Sequence, residues 1–486
     1  MNLEEGLLHE SQRLGTQIDR VLRPDSWEEA LELYASLPES LPVAGATDLM
    51  LDLQRTSPTP ENSGVALLDL WGLPDCSRVA VTDDEVEIGC AVTHNQVIAS
   101  KGLDPALDLL RMACLEIGSP QLRNRATVIG NIVTASPAND TISALVALDS
   151  TVVIDSASAT RELPIREFFT GFRTTALNDF ELIRCIRIPK WNPKTTGTWL
   201  KVGNRSAQAI SVIHAGIVLE LDEATSSIIR ADIAIGSVSE IVSVSSSARE
   251  YLVGKALNEE TAEGAARAAA EEISPIDDIR GTAAYRRAVT KTALHRALLA
   301  LGNGSLQDAS SPPLLGWDVG RIKPTEAVIS AATEVSCTIN GSVVTAPIES
   351  NSTLLDWLRA TVSKGTKEGC SEGECGACTI QLNGCAVTSC LIPTAQADGA
   401  SIVTVEGLAD DQELHPVQEG FLKEFAVQCG YCTPGFLVAA AVLCQENEDP
   451  SLEEIQSGLA GNLCRCTGYY SIVEAIQHAT KDGGLS

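Results

Sequence analysis

Apolar positions in the first 300 residues alternate between strand-like and helix-like spacing. VAVTDDEVEIG (79–89) and STVVIDS (150–156) show the period-two pattern of half-buried strands, and further strands are expected over 182–188 and 212–221. Asp25-Ser26 offers an N-cap to WEEALELYASL, because a short polar side chain can accept the first free backbone N–H groups of a helix. An apolar strand-to-turn passage follows at LPVAGATDLM (41–50). An Ala- and Glu-rich helix fits 259–272 and another fits 282–301. This order predicts an α/β region followed by an α+β region.

The period then disappears. GNGSLQDASSPPLLGWDVGRIKP (302–324) is rich in Gly, Ser and Pro and reads as a linker. After it, EVSCTINGSVVTAPIE (334–349) predicts two strands around an Asn340-Gly341 hairpin turn. A helix is expected over 352–362 and a second hairpin around Asn383-Gly384, an order that suits a small ferredoxin-like sheet. From residue 415 onward the pattern is helical, over 416–428, 434–446, 451–460 and 470–480, as in a small four-helix bundle. No internal repeat is present.

At 486 residues the chain is too long for one hydrophobic core. Its net charge of −29 argues against nucleic acid or anionic membrane as partner, since both are polyanions. The opening MNLEEGLLHESQRLG lacks the basic start and apolar core of a signal peptide. The apolar run GFLVAAAVLC (435–444) is about half a membrane span and reads as a buried helix. A soluble, cytoplasmic protein without a membrane span is expected. Fifteen cysteines in such a chain point to metal ligation rather than disulfides, and ten of them lie between Cys370 and Cys466.

GCSEGECGACTI (369–380) carries Cys370, Cys375 and Cys378 with the C-x4-C-x2-C spacing of plant-type [2Fe–2S] ferredoxins. Gly369, Gly373 and Gly376 allow a loop tight enough to aim three thiolates at one cluster. Cys390, after the hairpin, is the expected fourth ligand. Cys385, beside the turn, should sit at the hairpin tip and point away. A second constellation joins QCGYCTPG (428–435) to GNLCRCTGYY (461–470), with Cys429 and Cys432 as C-x-x-C and Cys464 and Cys466 as C-x-C. Each pair is expected at a helix start, where backbone dipoles favour thiolates. By spacing alone this set suits tetrahedral zinc as well as a cluster; the neighbouring ferredoxin-type loop favours a second [2Fe–2S]. Cys444, in an apolar run, reads as core. The six histidines, 9, 94, 214, 295, 415 and 478, form no obvious site, and no general acid or base is expected.

The ferredoxin-type loop followed by QCGYCTPG and GNLCRCTGY resembles the iron–sulfur part of the molybdenum hydroxylases, the family of xanthine dehydrogenase, aldehyde oxidase and carbon monoxide dehydrogenase, over about 334–482. The resemblance implies that the bundle cluster lies beside a molybdopterin and the plant-type cluster between it and a flavin. It also implies that Gln428 contacts the pterin.

Two glycine-bearing stretches, PVAGATDLM (42–50) and IGSPQLRNRATVIGNIVTASPANDT (117–141), have neither G-x-G-x-x-G after a strand nor a Walker lysine. Alone they read as ordinary turns with free N–H groups. With LKVGNRSAQAISV (200–212) and SPIDDIRGTAAYRR (274–287) they resemble the FAD-binding segments of the same family. That implies contacts to the FAD pyrophosphate from Val43, Ala44, Gly45, Ala46, Thr47, Asp48 and Leu49, further FAD contacts from Thr127, Gly130, Asn131, Thr134, Asp140 and Ile183, and an approach of Lys201 to the flavin ring. Ala46 and Ile129 stand where the common family pattern has glycine, and both residue types are poor at positive φ. The order is inverted too, because fused relatives place the iron–sulfur part first.

The implied architecture is multidomain α+β. A PCMH-type FAD-binding α/β domain covers 1–195 and an α+β flavoprotein C-terminal domain 196–301. A linker over 302–332 leads to a β-grasp plant-type ferredoxin domain, 333–410, and a helical [2Fe–2S] bundle, 411–486. The implied activity is that of an oxidoreductase subunit. Electrons would pass from molybdopterin in a large partner chain through two [2Fe–2S] clusters to FAD, and then to NAD⁺, O₂ or a quinone. The assembly implied is a dimer of heterodimers, and the substrate a purine such as xanthine or another N-heterocycle. A CO-oxidising or reductive relative and a plain ferredoxin-like carrier are the alternatives. No [4Fe–4S] cluster is expected, since Cys76, Cys90, Cys114 and Cys185 are dispersed.

Overall fold

The computed structural model describes residues 17–55, 64–305, 311–318, 327–330, 333–348, 352–410 and 413–481. Two compact units form, and they do not follow chain order. The described parts of Met1–Pro74, Ser119–Ala126 and Pro312–Ser486 make one unit; Asp75–Gly118 and Thr127–Ser311 make the other.

The first unit holds two sheets and the helical bundle. Ile18–Leu22 and Val65–Asp69 run parallel, flanked by Leu41–Val43 and, antiparallel, by Val328–Ser330. The second sheet has the strand order Ser342–Pro347, Glu334–Ile339, Ser401–Val403, Thr379–Leu382, Cys385–Thr388. The neighbours Glu334–Ile339 and Ser401–Val403 are parallel; the remaining pairs are antiparallel. Both expected hairpin turns form, with φ of 49° and 79° at Asn340 and Gly341 and of 48° and 89° at Asn383 and Gly384. Two successive positive φ values match the right-handed twist of the strands they join. The helix Leu354–Thr361 starts where Thr353 and Asp356 close a capping box.

The bundle helices are Pro416–Lys423, Thr433–Glu446, Leu452–Gly458 and Tyr470–Lys481. Phe421, Phe436, Leu443, Ile455 and Ile476 fill their core, and Cys444 is buried there as expected. The first helix stops well short of residue 428. Phe425 turns left-handed at φ 51° and the Ala426 N–H returns to the Phe421 carbonyl at 3.0 Å, which closes the helix.

Part of the stretch expected as a linker is structured. The long helix Ala283–Asn303 ends at Gly304, whose φ is 62°. Farther on, Leu314 and Leu315 are buried, the latter in the bundle core. Their segment is pinned by its backbone: Leu314 and Gly316 donate N–H to the Glu446 carboxylate at 2.9 and 3.1 Å, and Asn124 Nδ2 donates to the Leu314 and Leu315 carbonyls. Composition concealed this, because backbone bonds can fix a chain whatever its side chains.

The second unit is built on two antiparallel sheets. One has the order Val79–Val81, Glu85–Gly89, Leu182–Pro189, Thr151–Asp155, Thr160–Pro164. The other pairs Thr195–Gly203, Ser211–Leu221, Ile228–Gly236 and Ser243–Val244. Glu259–Glu272 and Ala283–Asn303 pack on the latter sheet through Ala262, Ala266, Leu294 and Leu298. No helix of the described residues is long and apolar enough to cross a membrane.

Candidate functional site

The cysteine-rich loop folds back so that its own N–H groups surround a sulfur. Cys370 Sγ accepts from the backbone N–H of Glu372, Glu374 and Cys375 at 3.3, 3.3 and 3.4 Å. Cys375 Sγ accepts from the Cys370 N–H at 3.3 Å. This curl needs Ser371, Gly373 and Gly376 at φ of 54°, 76° and 67°. Gly369 serves differently: its φ is not positive, but a Cβ there would stand 2.5 Å from Cys375 Sγ. The Cys375 thiol donates to Cys370, and with those N–H groups it draws the Cys370 thiol down to about 6 against the opposing effect of burial. Cys378 and Cys390 are both buried and form the second pair. Donation from Cys390 lowers Cys378, and Cys390 itself is raised. Cys385 lies apart, in the sheet core against Gly316, its thiol pushed up to about 12 by burial.

The bundle cysteines also pair two by two. Cys432 caps the helix Thr433–Glu446, with Pro434 in its first turn, and its thiol faces Cys464. Cys466 pairs with Cys429. The C-x-C pair is not at a helix start, since its helix begins only at Tyr470. Thr467 does the corresponding work: its Oγ1 and N–H donate to Cys464 Sγ at 3.2 and 3.5 Å, joined by the Cys466 N–H at 3.4 Å. Burial raises Cys464, yet these donors leave it lowered. Burial, then donation to Cys464, pushes Cys432 up to about 12. Cys429, Cys466 and Gln428 are exposed. Among the described residues no three or more His, Cys, Asp or Glu side chains close around a single-ion position. Two pairs of thiols in each set match the donor count of a two-iron cluster, which takes two thiolates on each iron.

The residues implied for a flavin are divided between the two units. In the first unit, Val43 ends a strand and Ala46 opens the turn into the helix Leu49–Arg55, with the Met50 N–H on its carbonyl at 2.9 Å. Ala46 takes φ 68° despite its side chain. Gly45 has no room for one, since a Cβ would lie 2.1 Å from the Arg125 carbonyl oxygen. Val43, Ala46 and Met50 share a core with Cys378, Cys390 and Leu391. Arg125 stacks 3.7 Å over the Trp71 ring and reaches Gln396, whose Nε2 donates to the Ala44 carbonyl at 3.1 Å and to Asp69 at 2.8 Å. Nothing in the sequence spacing marked this group.

In the second unit, Thr127 caps the helix Val128–Val133 and accepts from the Gly130 N–H at 3.0 Å. Ile129 is helical and needs no positive φ. Asn131 and Thr134 are half-buried in this turn: Asn131 accepts from Thr141 Oγ1, and Thr134 donates to the Gly130 carbonyl at 3.0 Å. Asp140 forms a buried ion pair with Lys201 at 2.6 Å, and Ser211 Oγ donates to its other oxygen at 2.5 Å. Ile183 is buried in the strand Leu182–Pro189.

Four family models match consecutive parts of the chain. They are an FAD binding domain in molybdopterin dehydrogenase over 15–191, a CO dehydrogenase flavoprotein C-terminal domain over 199–301, a 2Fe-2S iron-sulfur cluster binding domain over 337–401 and a [2Fe-2S] binding domain over 404–477. The small FeS subunit of nicotinate dehydrogenase from Eubacterium barkeri is 47% identical over 148 residues, which are 30% of this chain and 94% of that protein. The chain belongs to the molybdenum hydroxylase family.

As a molybdenum hydroxylase component it is an electron-transfer module with FAD-binding and 2Fe–2S domains. The xanthine dehydrogenase iron-sulfur-binding subunit of Escherichia coli O157:H7 is 44% identical over 149 residues, 30% of this chain and 94% of that one. A carbon monoxide dehydrogenase structure from Hydrogenophaga pseudoflava superposes with a TM-score of 0.55 at 25% identity, covering 60% of this chain and all of the other. The match at 404–477 decides the choice that spacing left open at the second cysteine set in favour of a [2Fe–2S] domain over zinc.

Proposed function

We propose that this chain is the electron-transfer subunit of a molybdenum-dependent hydroxylase, working with a large molybdopterin-binding chain and delivering electrons to NAD⁺, O₂ or a quinone. The observation that carries this reading is the pairing of eight thiols two by two, four in the ferredoxin-type region and four in the bundle loops, with Cys378 and Cys390 sharing a core with the 43–50 turn. Cys370, Cys375, Cys378 and Cys390 would hold one cluster, and Cys429, Cys432, Cys464 and Cys466 the other. FAD would take its contacts from Val43 to Leu49 and from Thr127, Gly130, Asn131, Thr134, Asp140, Ile183 and Lys201. When bound, these groups supply one-electron carriage to a flavin that gathers single electrons and releases pairs. The protein's own part is to aim N–H groups at the sulfurs, to exclude water from the Cys378–Cys390 pair and to hold the 43–50 turn against it.

The proposed domain limits are 1–195, 196–301, 333–410 and 411–486, with 302–332 joining the two halves. Cys429, Cys466 and Gln428 are exposed, and so are Phe425, Tyr431, Leu463 and Tyr470, each within four residues of one of them in the chain. Apolar exposure of this kind marks a protein interface, and it supports docking of the molybdopterin chain there, with Gln428 turned to the pterin, in a dimer of heterodimers. The names nicotinate dehydrogenase, nicotine 6-hydroxylase and xanthine dehydrogenase among the relatives support an N-heterocycle as substrate. The test is to copurify the chain with its large subunit and measure iron, zinc and flavin together with oxidation of a panel of N-heterocycles. Four irons and one FAD per chain with turnover of a heterocycle are expected. Two irons with one zinc would overturn the second cluster, and flavin-free protein with both clusters intact would overturn the FAD assignment.

A further inference from the structure

The two cysteine loops are locked to each other by a residue that touches neither set of sulfurs. Asn462 precedes the C-x-C pair and is only 2% exposed. Its Nδ2 donates to the Gly376 carbonyl, inside the ferredoxin loop, at 3.1 Å, and lies 3.4 Å from Thr379 Oγ1. Its Oδ1 accepts from Gln121 Nε2 at 2.7 Å, and Gln121 is fully buried. One side chain therefore joins the ferredoxin loop, the bundle loop and the Ser119–Ala126 segment. Next to it, the Leu463 N–H donates to the Cys375 carbonyl at 2.9 Å. Cys375 and Cys464 belong to different sets, so a single hydrogen bond links the backbone of one to the residue preceding the other.

Glycines make this approach possible. A Cβ on Gly376 would stand 2.3 Å from the Gly461 carbonyl oxygen and 2.5 Å from Asn462 Nδ2. A Cβ on Gly435, in the first turn after Cys432, would meet the Gly376 carbonyl oxygen at 2.2 Å. One on Gly461 would meet Gln121 Oε1 at 2.1 Å. Gly376 and Gly435 thus let two backbones come together, Gly461 leaves room for the Gln121 side chain, and Asn462 satisfies the amide groups that this closeness buries.

We propose that Asn462 is a positioning residue that sets the separation and orientation of the two clusters, with the Leu463 N–H to Cys375 carbonyl bond as the bridge between them. This rests on the reading that the eight cysteines hold two clusters. The step it serves moves one electron: the bundle site is oxidised by one electron and the ferredoxin-loop site reduced by one, with no bond made and no proton transferred. Asn462 acts through the loops and holds no electron itself.

The test uses the holoenzyme with its partner chain, reduced with dithionite. Two paramagnetic clusters held at a fixed distance split each other's electron paramagnetic resonance at low temperature, and that dipolar interaction falls with the cube of their separation. Asn462→Ala should retain four irons and both individual signals but lose the splitting and slow flavin reduction in stopped flow. Asn462→Asp keeps the acceptor for Gln121 and places an oxygen against the Gly376 carbonyl, so it should show the same loss. Gln121→Ala removes only the support behind Asn462; it gives an intermediate loss and stands in if the Asn462 variants do not load iron. Unchanged splitting and unchanged flavin reduction in variants with four irons would overturn the proposal. Wild-type protein with two irons would overturn the two-cluster reading beneath it, a separate and distinguishable failure.

Discussion

Removing the ammonium from the Lys201–Asp140 pair tests both the packing of the second unit and its part in holding flavin. The two side chains are 5% and 8% exposed and their charged atoms lie 2.6 Å apart. Lys201 Nζ also donates to the Glu116 carbonyl at 2.8 Å, and Asp140 accepts from Ser211 Oγ at 2.5 Å. Lys201→Met leaves a buried carboxylate with a hydroxyl for company. One-sided loss of a buried pair costs about 3–5 kcal/mol. Ser211 still donates to Asp140, so the low end, about 3 kcal/mol, is expected. At roughly 2–4 °C per kcal/mol for a unit of this size, the unfolding transition should fall by ~6–12 °C. Asp140→Asn should cost a similar amount by stranding the lysine. The double variant removes both charges and should recover about 2 kcal/mol relative to the sum of the singles. Flavin retention should not recover with it, because the proposed contacts to FAD are lost in either case. Calorimetry of flavin-free protein gives the first quantity and flavin content after gel filtration the second. Strictly additive destabilisation would refute the coupling, and a double variant that keeps stoichiometric FAD would refute the flavin role.

Cys390→Ser should reduce iron from four to two per chain, whereas Cys385→Ser, in the sheet core, should leave it at four; equal losses would mean the fourth ligand is misassigned. Gly45→Ala drives a Cβ to 2.1 Å from the Arg125 carbonyl oxygen; the turn must shift, at about 1–3 kcal/mol, and flavin content should fall, an outcome read by absorbance of the purified holoenzyme. Ala46→Gly trades a left-handed alanine, about 1 kcal/mol, against a buried methyl worth roughly 0.8 kcal/mol. Denaturant melts should therefore move little, and a large loss would show that the methyl contact dominates. Arg161 holds Glu181 through Nε and Nη2, both at 2.7 Å, and draws its carboxyl down to about 2. Because the folded value is depressed, the stabilisation is complete above the ordinary value near 4.5 and is lost as pH falls towards 2. Arg161 is 35% exposed, so solvent screening leaves about 1 kcal/mol. Glu181→Gln should show that deficit in urea melts at pH 7 and none near pH 2; an equal deficit at both would exclude the ionic explanation.

Which parts of this molecule were legible in the sequence follows from what carries the information. A cluster needs sulfur, and sulfur comes only from named residues at constrained spacings, so Cys370, Cys375 and Cys378 could be set apart from Cys444 before any fold was known. A helix end set by a side-chain oxygen is legible for the same reason: Ser26 accepts from the Glu29 N–H, and the helix Trp27–Ser36 starts beside it. What escaped was backbone chemistry. Leu314 and Leu315 are held by N–H and carbonyl groups that every residue has, so a Pro- and Gly-rich composition reads as a linker although the chain is pinned. The strands Ile18–Leu22 and Val65–Asp69 are five residues each and find their partners only across intervening chain.

The 43–50 turn belongs to the same class. Glycine at position 46 would have been a recognisable mark, but an alanine at φ 68° makes the same turn at a cost of about 1 kcal/mol, and no composition rule reports it. Asn462 lies between these extremes. Its side chain is distinctive, yet its partner is the Gly376 carbonyl, 86 residues away. The loop glycines were legible as freedom to turn. Their second use, as the absence of a side chain where a neighbouring backbone or side chain must fit, appears only when Gly376, Gly435 and Gly461 are seen together. A glycine-rich ligand loop therefore encodes both the grip on its own cluster and the approach of the next one.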